Sequence, residues 1–284
     1  MEIINRRQRM ASITRKLRRE NKTIAFVPTM GALHEGHLAL VQDASKRGDS
    51  VIVSIFVNPT QFNDPKDLAR YPRDLASDAA MLTEFGVDYI YAPEPQDIYP
   101  EGFATYVYVE GLSESLEGAS RPGHFRGVAT VVTLLLNTIR PDFAIFGEKD
   151  AQQLAIVKRL TRDMGFDTEI ISVPTVREPS GLAMSSRNEL LSPEDRARAS
   201  AIYAALHMAE NAFNSGERNA SKLTQMVENA LSADTDLTLD YVATVNADTL
   251  EMVEKVGDTG SMIAVAARIG GVRLIDNVRL GRGQ

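Results

Sequence analysis

Two histidines, His34 and His37, stand three residues apart in a glycine-containing segment that follows the short apolar run 23–28. At this spacing both rings would lie on one face of the first turn of a helix. Their ring N–H groups could then donate hydrogen bonds to phosphoryl oxygens as negative charge accumulates there. Gly31 and Gly36 would let the backbone approach a phosphate closely, and a helix that begins near Gly36 would direct N–H groups toward it. The segment predicts a phosphate site, with a polar helix start and a histidine metal pair as the alternatives.

The glycine spacing and the absent residue types exclude several kinds of chemistry. The segment matches neither G-x-G-x-x-G nor a Walker loop, which disfavours a dinucleotide fold and a P-loop kinase. The chain has no cysteine, so disulfides, zinc–thiolate sites, iron–sulfur clusters and thiol catalysis are excluded. It also lacks a G-x-S-x-G motif, and a covalent acyl-enzyme therefore has no support.

The elements that would position the histidine segment alternate between strand and helix. Short apolar runs predict strands, and apolar residues at helical spacing predict helices. Strands are expected at 23–28, 50–57, 87–92, 142–146 and 169–173, and helices at 38–46, 67–85, 125–139 and 151–164. The alternating segment 105–110 predicts an edge or antiparallel strand. The class is therefore α/β, a Rossmann-like parallel sheet with helices on both faces, and the histidines follow the carboxyl end of a strand, where such sheets bind ligands.

The pattern changes near Pro179. Ser192 as N-cap and Pro193 at the first helical position predict a helix at 193–214. A second helix is expected at 220–231, and strands are expected at 237–246, 262–267 and 272–278. The chain is thus predicted to form two domains, a Rossmann-like domain at 1–178 and a smaller C-terminal α+β domain at 179–284.

The composition fits an ordinary globular protein. Of the 284 residues 44% are hydrophobic and 24% charged, and the formal net charge is -7. The acidic balance argues against general nucleic-acid binding. No apolar run approaches the ~20 residues of a membrane span, and the basic N-terminus leads into no apolar signal segment. We expect a cytoplasmic enzyme that binds neither nucleic acid nor membrane.

Several short segments identify a family. Residues 34–37 carry the H-x-G-H signature of the nucleotidylyltransferase superfamily, which is related to class I aminoacyl-tRNA synthetases. Seven segments resemble one family within this superfamily, the pantoate–β-alanine ligases. They are residues 28–31, 56–62, 71–73, 117–128, 146–153, 184–188 and 273–277. The resemblance implies ATP-dependent condensation of (R)-pantoate with β-alanine to give pantothenate, AMP and pyrophosphate through an enzyme-bound pantoyl adenylate. It also implies that domain 1–178 binds nucleotide and pantoate, that domain 179–284 is a lid, that Mg²⁺ accompanies ATP, and that the protein is a homodimer.

The same resemblance implies roles for individual residues. The catalytic residues would be His34, His37, Lys149 and Arg187. The ATP site would comprise Met30, Gly31, Ala32, Leu33, His34, Glu35, Gly36, His37, Gly147, Glu148, Lys149, Asp150, Val176, Met184, Ser185, Ser186 and Arg187. Pantoate and β-alanine would be bound by Asn58, Gln61 and Gln153. No residue is assigned to a resident metal ion.

The residue types suit these roles, although each segment has a plainer interpretation. Lys149 can pair with phosphoryl oxygens and Asp150 can contact Mg²⁺ or its water shell, but 148–150 also fits a solvated helix start. Serine hydroxyls and Arg187 suit phosphate oxygens, but 184–187 also fits a serine-rich linker. Amides can bind hydroxyls and a carboxylate without adding charge, but the three amide residues also fit a turn and two surface glutamines.

Two other functions remain as alternatives. A nucleotidyltransferase that adenylates or cytidylylates a phosphate would share the H-x-G-H signature, but it would lack the segments 58–61 and 117–128 that this chain carries. A non-catalytic nucleotide- or RNA-binding module is disfavoured by the net charge of -7 and by the intact phosphate-site residues.

Overall fold

The computed structural model describes residues 1–257 and 260–281. The chain divides into two compact units, one formed by Met1–Glu148 with Ile156–Pro174 and the other by Lys149–Ala155 with Thr175–Gln284. The domain boundary predicted after residue 178 stays a prediction. In the described ranges no helix is both long and apolar enough to cross a membrane.

The first unit is built on a six-stranded parallel sheet. Its strands are β1 (Glu2–Ile4), β2 (Ile24–Thr29), β3 (Ser50–Ile55), β4 (Tyr89–Tyr91), β5 (Phe143–Gly147) and β6 (Glu169–Val173). The spatial order is β1-β4-β3-β2-β5-β6, and every neighbouring pair is parallel. The chain adds strands on one side of β2 as far as β4 and then crosses to the other side for β5 and β6. The carboxyl ends of β2 and β5 therefore flank a topological switch point, where open α/β sheets bind ligands.

Helices flank this sheet. They are α1 (Arg7–Arg19), α2 (Glu35–Ser45), α3 (Pro65–Arg70), α4 (Leu75–Thr83), α5 (Pro95–Ile98), α6 (Glu117–Ser120), α7 (His124–Ile139) and α8 (Ala151–Asp163). On one face of the sheet, Val41 and Ala44 of α2 are fully buried with Val27 and Val53 of the two central strands. Helices α1 and α7 contact each other and β2. The predicted α/β class with a Rossmann-like parallel sheet is confirmed.

The second unit contains a three-stranded antiparallel sheet in the order β7-β8-β9, with β7 at Leu237–Asn246, β8 at Ser261–Ile269 and β9 at Val272–Leu280. Helices α9 (Pro193–Asn214) and α10 (Ala220–Ser232) share an apolar core with these strands. Helix α9 begins as predicted, because Ser192 Oγ accepts a hydrogen bond from the backbone N–H of Asp195 at 3.1 Å. The predicted smaller α+β part is confirmed.

The structure corrects two predicted elements. The single helix predicted at 67–85 is wrong: α3 ends at Arg70 and α4 starts at Leu75. Pro72 has no N–H to continue a helix, and Asp74 starts a new one by accepting from the Ser77 N–H at 3.0 Å. The strand predicted at 105–110 is also wrong, since these residues form no strand.

The segment 105–110 alternates for another reason. The N–H of Val107 donates to Thr130 Oγ1 of α7 at 3.0 Å, while Tyr106 and Tyr108 are exposed. Arg126 of the same helix also lies over the Tyr106 ring, with its guanidinium carbon 3.7 Å from the centroid, so the segment packs on a helix and its alternation arises without a partner strand.

The sequence predicts no element before residue 23, yet β1 and α1 lie there. Helix α1 buries Met10, Ile13 and Leu17 on one side and leaves its basic side chains exposed. These apolar residues have helical spacing, but the many arginines between them make the stripe hard to recognise in the sequence.

Candidate active site

The loop between β2 and α2 has an unusual backbone. Gly31 and Ala32 both have positive φ angles, of 82° and 52°. The Gly31 N–H donates to Thr29 Oγ1 at 3.3 Å, and that hydroxyl donates in turn to the carbonyl oxygen of Ser54 at 2.7 Å. A side chain at Gly31 would be strained by its φ angle and would crowd Ile55 Cγ2 at 3.1 Å. The loop is therefore fixed to β3 and turns sharply before the histidines.

His34 and His37 form a reciprocal cap at the start of α2. His34 is the N-cap residue, and its Nδ1 accepts from the Gly36 N–H at 3.1 Å. The Nδ1 of His37 accepts from the backbone N–H of His34 at 3.4 Å. The two ring centroids lie 4.2 Å apart. The arrangement places both rings together, as the spacing in the sequence predicts.

The cap also determines which ring nitrogen carries the hydrogen. In a neutral imidazole one nitrogen accepts and the other donates. Because Nδ1 accepts from a backbone N–H in both residues, Nε2 is the N–H donor in both neutral rings. The side chains therefore present two neighbouring donors of the kind that can stabilise charge on a phosphoryl group.

The first backbone N–H groups of α2 are used differently from the expectation. The Gly36 N–H bonds to the His34 ring, and the N–H groups of His37 and Leu38 both bond to the His34 carbonyl oxygen, at 2.8 and 3.1 Å. The glycine-containing sequence predicts that these N–H groups face a phosphate. In the structure the capping bonds use them, so the histidine side chains supply the donors at this helix start.

A network of amide and hydroxyl groups follows β3. The Asn58 Nδ2 donates to Gln61 Oε1 at 3.0 Å, and the Gln61 Nε2 lies 3.0 Å from the Met30 sulfur. The Asn58 Oδ1 accepts from the Tyr99 hydroxyl at 2.7 Å and from Thr60 Oγ1 at 2.9 Å. Asn58 is only 1% exposed. The structure thus brings together three of the predicted site residues, Met30, Asn58 and Gln61. These hydrogen bonds also determine how the side-chain amides of Asn58 and Gln61 are oriented.

Tyr99 holds Asn58 in place, although no role for this tyrosine is predicted from the sequence. Burial raises the pKa of the Tyr99 hydroxyl, although its hydrogen bonds with Thr60 and Asn58 oppose this shift. The hydroxyl therefore remains a donor at neutral pH. No local motif marks this tyrosine, because it lies 41 residues from its partner.

Two further contacts hold the turn that contains Gln61. The ring Nδ1 of His124 lies 2.8 Å from the Gln61 carbonyl oxygen, and both groups are buried. A Cβ at Gly127 of α7 would lie 2.5 Å from the carbonyl oxygen of Thr60. Gly127 therefore permits α7 to approach the turn, which explains why a glycine stands within an otherwise apolar helix.

In the second unit, a cavity is lined by several of the other predicted residues. Its polar lining comprises Lys149, Ser185, Arg187, Asn188, Arg273 and Asp276. Three of these are cations, and the carboxylate of Asp276 is paired with Arg177 at 2.6 Å and 3.0 Å. Arg273 is paired in turn with Asp240 at 2.6 Å, so Lys149 and Arg187 are the lining cations that suit an anionic ligand.

Side-chain contacts within the second unit fix both ends of the segment from Arg177 to Asn188. Arg177 bonds to both oxygens of Asp276 and lies over the Tyr203 ring with its guanidinium carbon 3.8 Å from the centroid. The Asn188 Nδ2 donates to Glu178 Oε1 at 2.8 Å and to the Ala183 carbonyl oxygen at 3.1 Å. These contacts position the residues that carry Ser185 and Arg187.

Glu178 has a perturbed pKa for identifiable reasons. Burial raises the pKa of this carboxyl, but hydrogen bonds from Arg196 and Asn188 lower it, and the net shift is downward. Arg196 makes a two-pronged contact, with nitrogen–oxygen distances of 3.0 and 2.9 Å. Glu178 therefore stays ionised at neutral pH and anchors the segment.

Other predicted residues of the second unit are connected through the backbone. The N–H of Met184 donates to the carbonyl oxygen of Val176 at 3.0 Å. The Asn277 Nδ2 donates to the Lys149 carbonyl oxygen at 3.0 Å, and the Lys149 Nζ lies 3.9 Å from an Asp150 oxygen. Gln153 follows on α8 and is half-buried.

The predicted site residues thus form two groups. Met30 to His37, Asn58, Gln61, Gly147 and Glu148 belong to the first unit, and Lys149, Asp150, Gln153, Val176 and Met184 to Arg187 belong to the second. Each group is assembled by contacts within its own unit.

Comparisons of family, sequence and structure identify the same family. The family model described as pantoate-beta-alanine ligase matches residues 2–279. A pantothenate synthetase of Syntrophotalea carbinolica is 50% identical over 277 residues, which cover 98% of this chain and 98% of the relative. The crystal structure of a pantothenate synthetase from Thermus thermophilus is 46% identical, with a TM-score of 0.92, and the match covers 98% of this chain and 99% of that one.

A further solved structure was determined with ligands. It is the pantoate-beta-alanine ligase of Francisella tularensis complexed with beta-gamma ATP and beta-alanine, which is 39% identical. Its TM-score is 0.81, and the match covers 100% of this chain and 99% of that chain. Because the family model, the curated relative and the solved structures agree over nearly the whole length, this chain belongs to the pantoate-beta-alanine ligase family.

Proposed function

We propose that this chain joins pantoate to β-alanine in two steps, through a pantoyl adenylate that stays bound to the enzyme. Membership of the family makes the chain a ligase that forms an amide bond between these two substrates. ATP is the co-substrate, as supported by the Francisella tularensis relative, whose structure contains beta-gamma ATP and beta-alanine.

In the first step a carboxylate oxygen of pantoate attacks the α-phosphorus of ATP. A new P–O bond forms, the bond between the α-phosphorus and the bridging oxygen breaks, and pyrophosphate leaves with the electron pair. Two anions must approach each other, so donors and cations must neutralise the phosphates. The observation that carries this proposal is the histidine cap, because it makes Nε2 the donor in both His34 and His37.

The cations of the second unit suit the same step. Lys149 and Arg187 line one cavity with Ser185, and we assign all three to phosphoryl oxygens. Arg187 offers a planar fork that matches two phosphoryl oxygens, whereas Lys149 acts as a point charge. The backbone of Val176 is assigned to the adenine on the basis of the resemblance alone.

The amide residues suit pantoate, which presents hydroxyl groups and a carboxylate. Gln61 can bind these groups without adding a charge that would compete for the phosphates. Asn58, assigned to the same site, supports Gln61 from behind, because its Nδ2 donates to Gln61 Oε1 at 3.0 Å and to the Gly127 carbonyl oxygen at 3.2 Å. Their network fixes each amide before substrate binds, which lowers the ordering cost of recognition. Gln153 is assigned to the same substrate, and Gln61 also to the β-alanine position.

The donor set fits a magnesium ion that enters with ATP. Among the described residues no group of three or more histidine, aspartate or glutamate side chains could hold a metal. Magnesium keeps several waters and is commonly bound through one or two carboxylates plus substrate phosphates. Asp150, with its side chain 53% exposed, is a carboxylate that can contact such an ion or its water shell. When bound, the ion would neutralise phosphate charge.

In the second step the amine of β-alanine attacks the carbonyl carbon of the adenylate. The C–N bond forms, the C–O bond to the phosphate breaks, AMP leaves, and the nitrogen loses a proton. No side-chain nucleophile is needed, because the adenylate is already an activated acyl donor. This agrees with a chain that has no cysteine.

Two measurements test this proposal. ATP–pyrophosphate exchange should require pantoate and should not require β-alanine. With pantoate labelled by ¹⁸O in its carboxylate, one labelled oxygen should appear in AMP, because that oxygen bonds to the α-phosphorus. Exchange that proceeds equally without pantoate, or AMP that carries no label, would contradict the adenylate mechanism.

We also propose that the protein is a homodimer and that it is located in the cytoplasm. The resemblance supports the dimer, and light scattering on the purified protein tests it. That the protein does not bind nucleic acid stays a prediction, which is supported by the net charge of -7.

A further inference from the structure

Three consecutive backbone N–H groups in the loop after β2 bond to oxygens of the protein itself. The Gly31 N–H donates to Thr29 Oγ1 at 3.3 Å. The N–H of Ala32 donates to Asp78 Oδ2 at 3.2 Å, and the N–H of Leu33 donates to Asp78 Oδ1 at 2.8 Å. Successive N–H groups in such a turn form a concavity that binds anions. In this protein the carboxylate of Asp78 occupies it.

Asp78 reaches the loop from the buried side of α4. It is 4% exposed and shares the helix face of Leu75 and Leu82. The fit is close, since a Cβ at Gly31 would lie 2.8 Å from Asp78 Oδ2. Burial raises the pKa of Asp78, although the N–H bonds from Leu33 and Ala32 lower it. Burying an acid on an apolar helix face costs desolvation free energy, and no step of the proposed reaction uses Asp78.

The occupied concavity changes what a phosphate would meet in this loop. An N–H group that is bonded to Asp78 cannot also bind a phosphoryl oxygen, and an ionised carboxylate repels one. The N–H groups of Gly36, His37 and Leu38 are used by the cap. In this loop we therefore assign the histidine side chains, and none of these backbone groups, to phosphate.

We propose that Asp78 is a positioning residue that holds the loop carrying His34 and His37 in one conformation and withholds its backbone N–H groups from phosphates. Each carboxylate oxygen holds one N–H, so the backbone immediately before His34 is clamped at two successive residues. The inference rests on the proposed function of the two histidines, because it concerns the placement of their Nε2 atoms. In this proposal Asp78 acts through the loop and not through a contact with substrate.

The test compares Asp78→Asn with Asp74→Ala. The asparagine can accept one N–H, but its amide NH₂ group faces the other N–H, so the clamp loses at least one bond. Asp74→Ala removes the N-cap of the same helix, where Asp74 accepts from the Ser77 N–H, and leaves the Asp78 carboxylate in place. Two readouts are used: hydrogen exchange of the Ala32 and Leu33 amides, and kcat and KM for ATP in pantoate-dependent ATP–pyrophosphate exchange.

In Asp78→Asn the amides of Ala32 and Leu33 should exchange faster, and kcat should fall by roughly 10- to 100-fold, because a displacement of about 1 Å can cost that much in rate. KM for ATP should change much less, since Lys149 and Arg187 still bind the phosphates. Asp74→Ala should keep both the amide protection and the kcat of the wild type. Circular dichroism at the assay temperature checks that each variant is folded.

Several results would overturn the inference. They are a wild-type kcat in Asp78→Asn, unchanged protection of the two amides in that variant, or an equal loss of kcat in Asp74→Ala. If Asp78→Asn does not fold, hydrogen exchange of the wild-type protein still tests the inference. Unprotected amides at Ala32 and Leu33 would show that Asp78 does not hold the loop. If the wild type shows no pantoate-dependent exchange, the proposed function is contradicted. The hydrogen exchange of the Ala32 and Leu33 amides would then still show whether Asp78 holds the loop.

Discussion

His34 has two separable roles in the proposed site. Its Nδ1 caps α2 by accepting from the Gly36 N–H at 3.1 Å, whereas its Nε2 is the donor assigned to phosphate. The substitution His34→Asn should keep the first role and remove the second. Asparagine is among the best N-cap residues, and its Oδ1 can take the place of Nδ1. Its side chain ends before the position of Nε2.

The expected magnitudes follow from these two bonds. Loss of an N-cap costs about 1 kcal/mol, so His34→Ala should lower Tm by about 2–4 °C. His34→Asn should leave Tm within about 1 °C of the wild type, because the cap persists. Loss of one preorganised donor to a developing charge lowers a rate by roughly 10²–10³. Both variants should therefore lose adenylation to that extent, although only one of them loses stability.

Pantoate-dependent ATP–pyrophosphate exchange measures adenylation, and calorimetry measures Tm. Asn219→Ala provides a matched control, because Asn219 caps α10 by accepting from the Lys222 N–H at 2.9 Å. It should show a similar loss of stability with full exchange. Near-normal exchange in His34→Asn would refute the role of Nε2. A Tm as low as that of His34→Ala would refute the capping argument.

Four further predictions use other parts of the two groups. His37→Gln, whose amide nitrogen can overlap Nε2, should keep more exchange activity than His37→Asn, and equal loss in both variants would count against Nε2 as the donor. Gln61→Ala and Gln153→Ala should each raise KM for pantoate and leave ATP binding nearly intact in titration calorimetry. Arg187→Ala should slow adenylation but should make pantothenate at the normal rate from preformed pantoyl adenylate, and Arg187→Lys should restore adenylation in part. Rapid-quench kinetics of each half-reaction measures this, and equal defects in both half-reactions would contradict the role of Arg187 in adenylation. The folded-state pKa of Glu178 is lowered, so its ionised carboxylate stabilises the fold above the usual glutamate pKa of 4.5. This stabilisation is lost as the pH falls through the lowered pKa. In a plot of Tm against pH, Glu178→Gln should therefore show a smaller decrease of Tm at acid pH than the wild type.

The sequence predicted the central architecture well because the strands are covered on both faces. Fully buried strands such as β2 and β3 appear as unbroken apolar runs, which leave little choice of element. Local signals failed where packing partners are distant in sequence. The segment 105–110 has the alternation of a strand, but its packing partner is a helix that includes Thr130.

The site was predictable to the extent that its motifs are local. The histidine pair and Arg187 stand in short motifs, and their types already indicate phosphate chemistry. Tyr99 and Asp78 stand in no motif, because each acts on a group 41 or more residues away. One signal for Asp78 was present, since a charged residue on the apolar face of a helix is costly to bury and needs a partner.

The bonding of the loop explains why this chain differs from nucleotide sites built on glycine-rich loops. Such loops present backbone N–H groups to phosphates, and their glycines keep the path open. Here the comparable N–H groups are bonded to Thr29, Asp78 and His34. Gly31 serves a different purpose, which is to make room for the carboxylate of Asp78. Under the proposed function, the histidine side chains therefore supply the assigned donors at this loop, and a single substitution at a histidine can remove one completely. A backbone donor could not be removed in this way, so the large effect expected for His34→Asn at constant stability follows directly from how the loop is bonded.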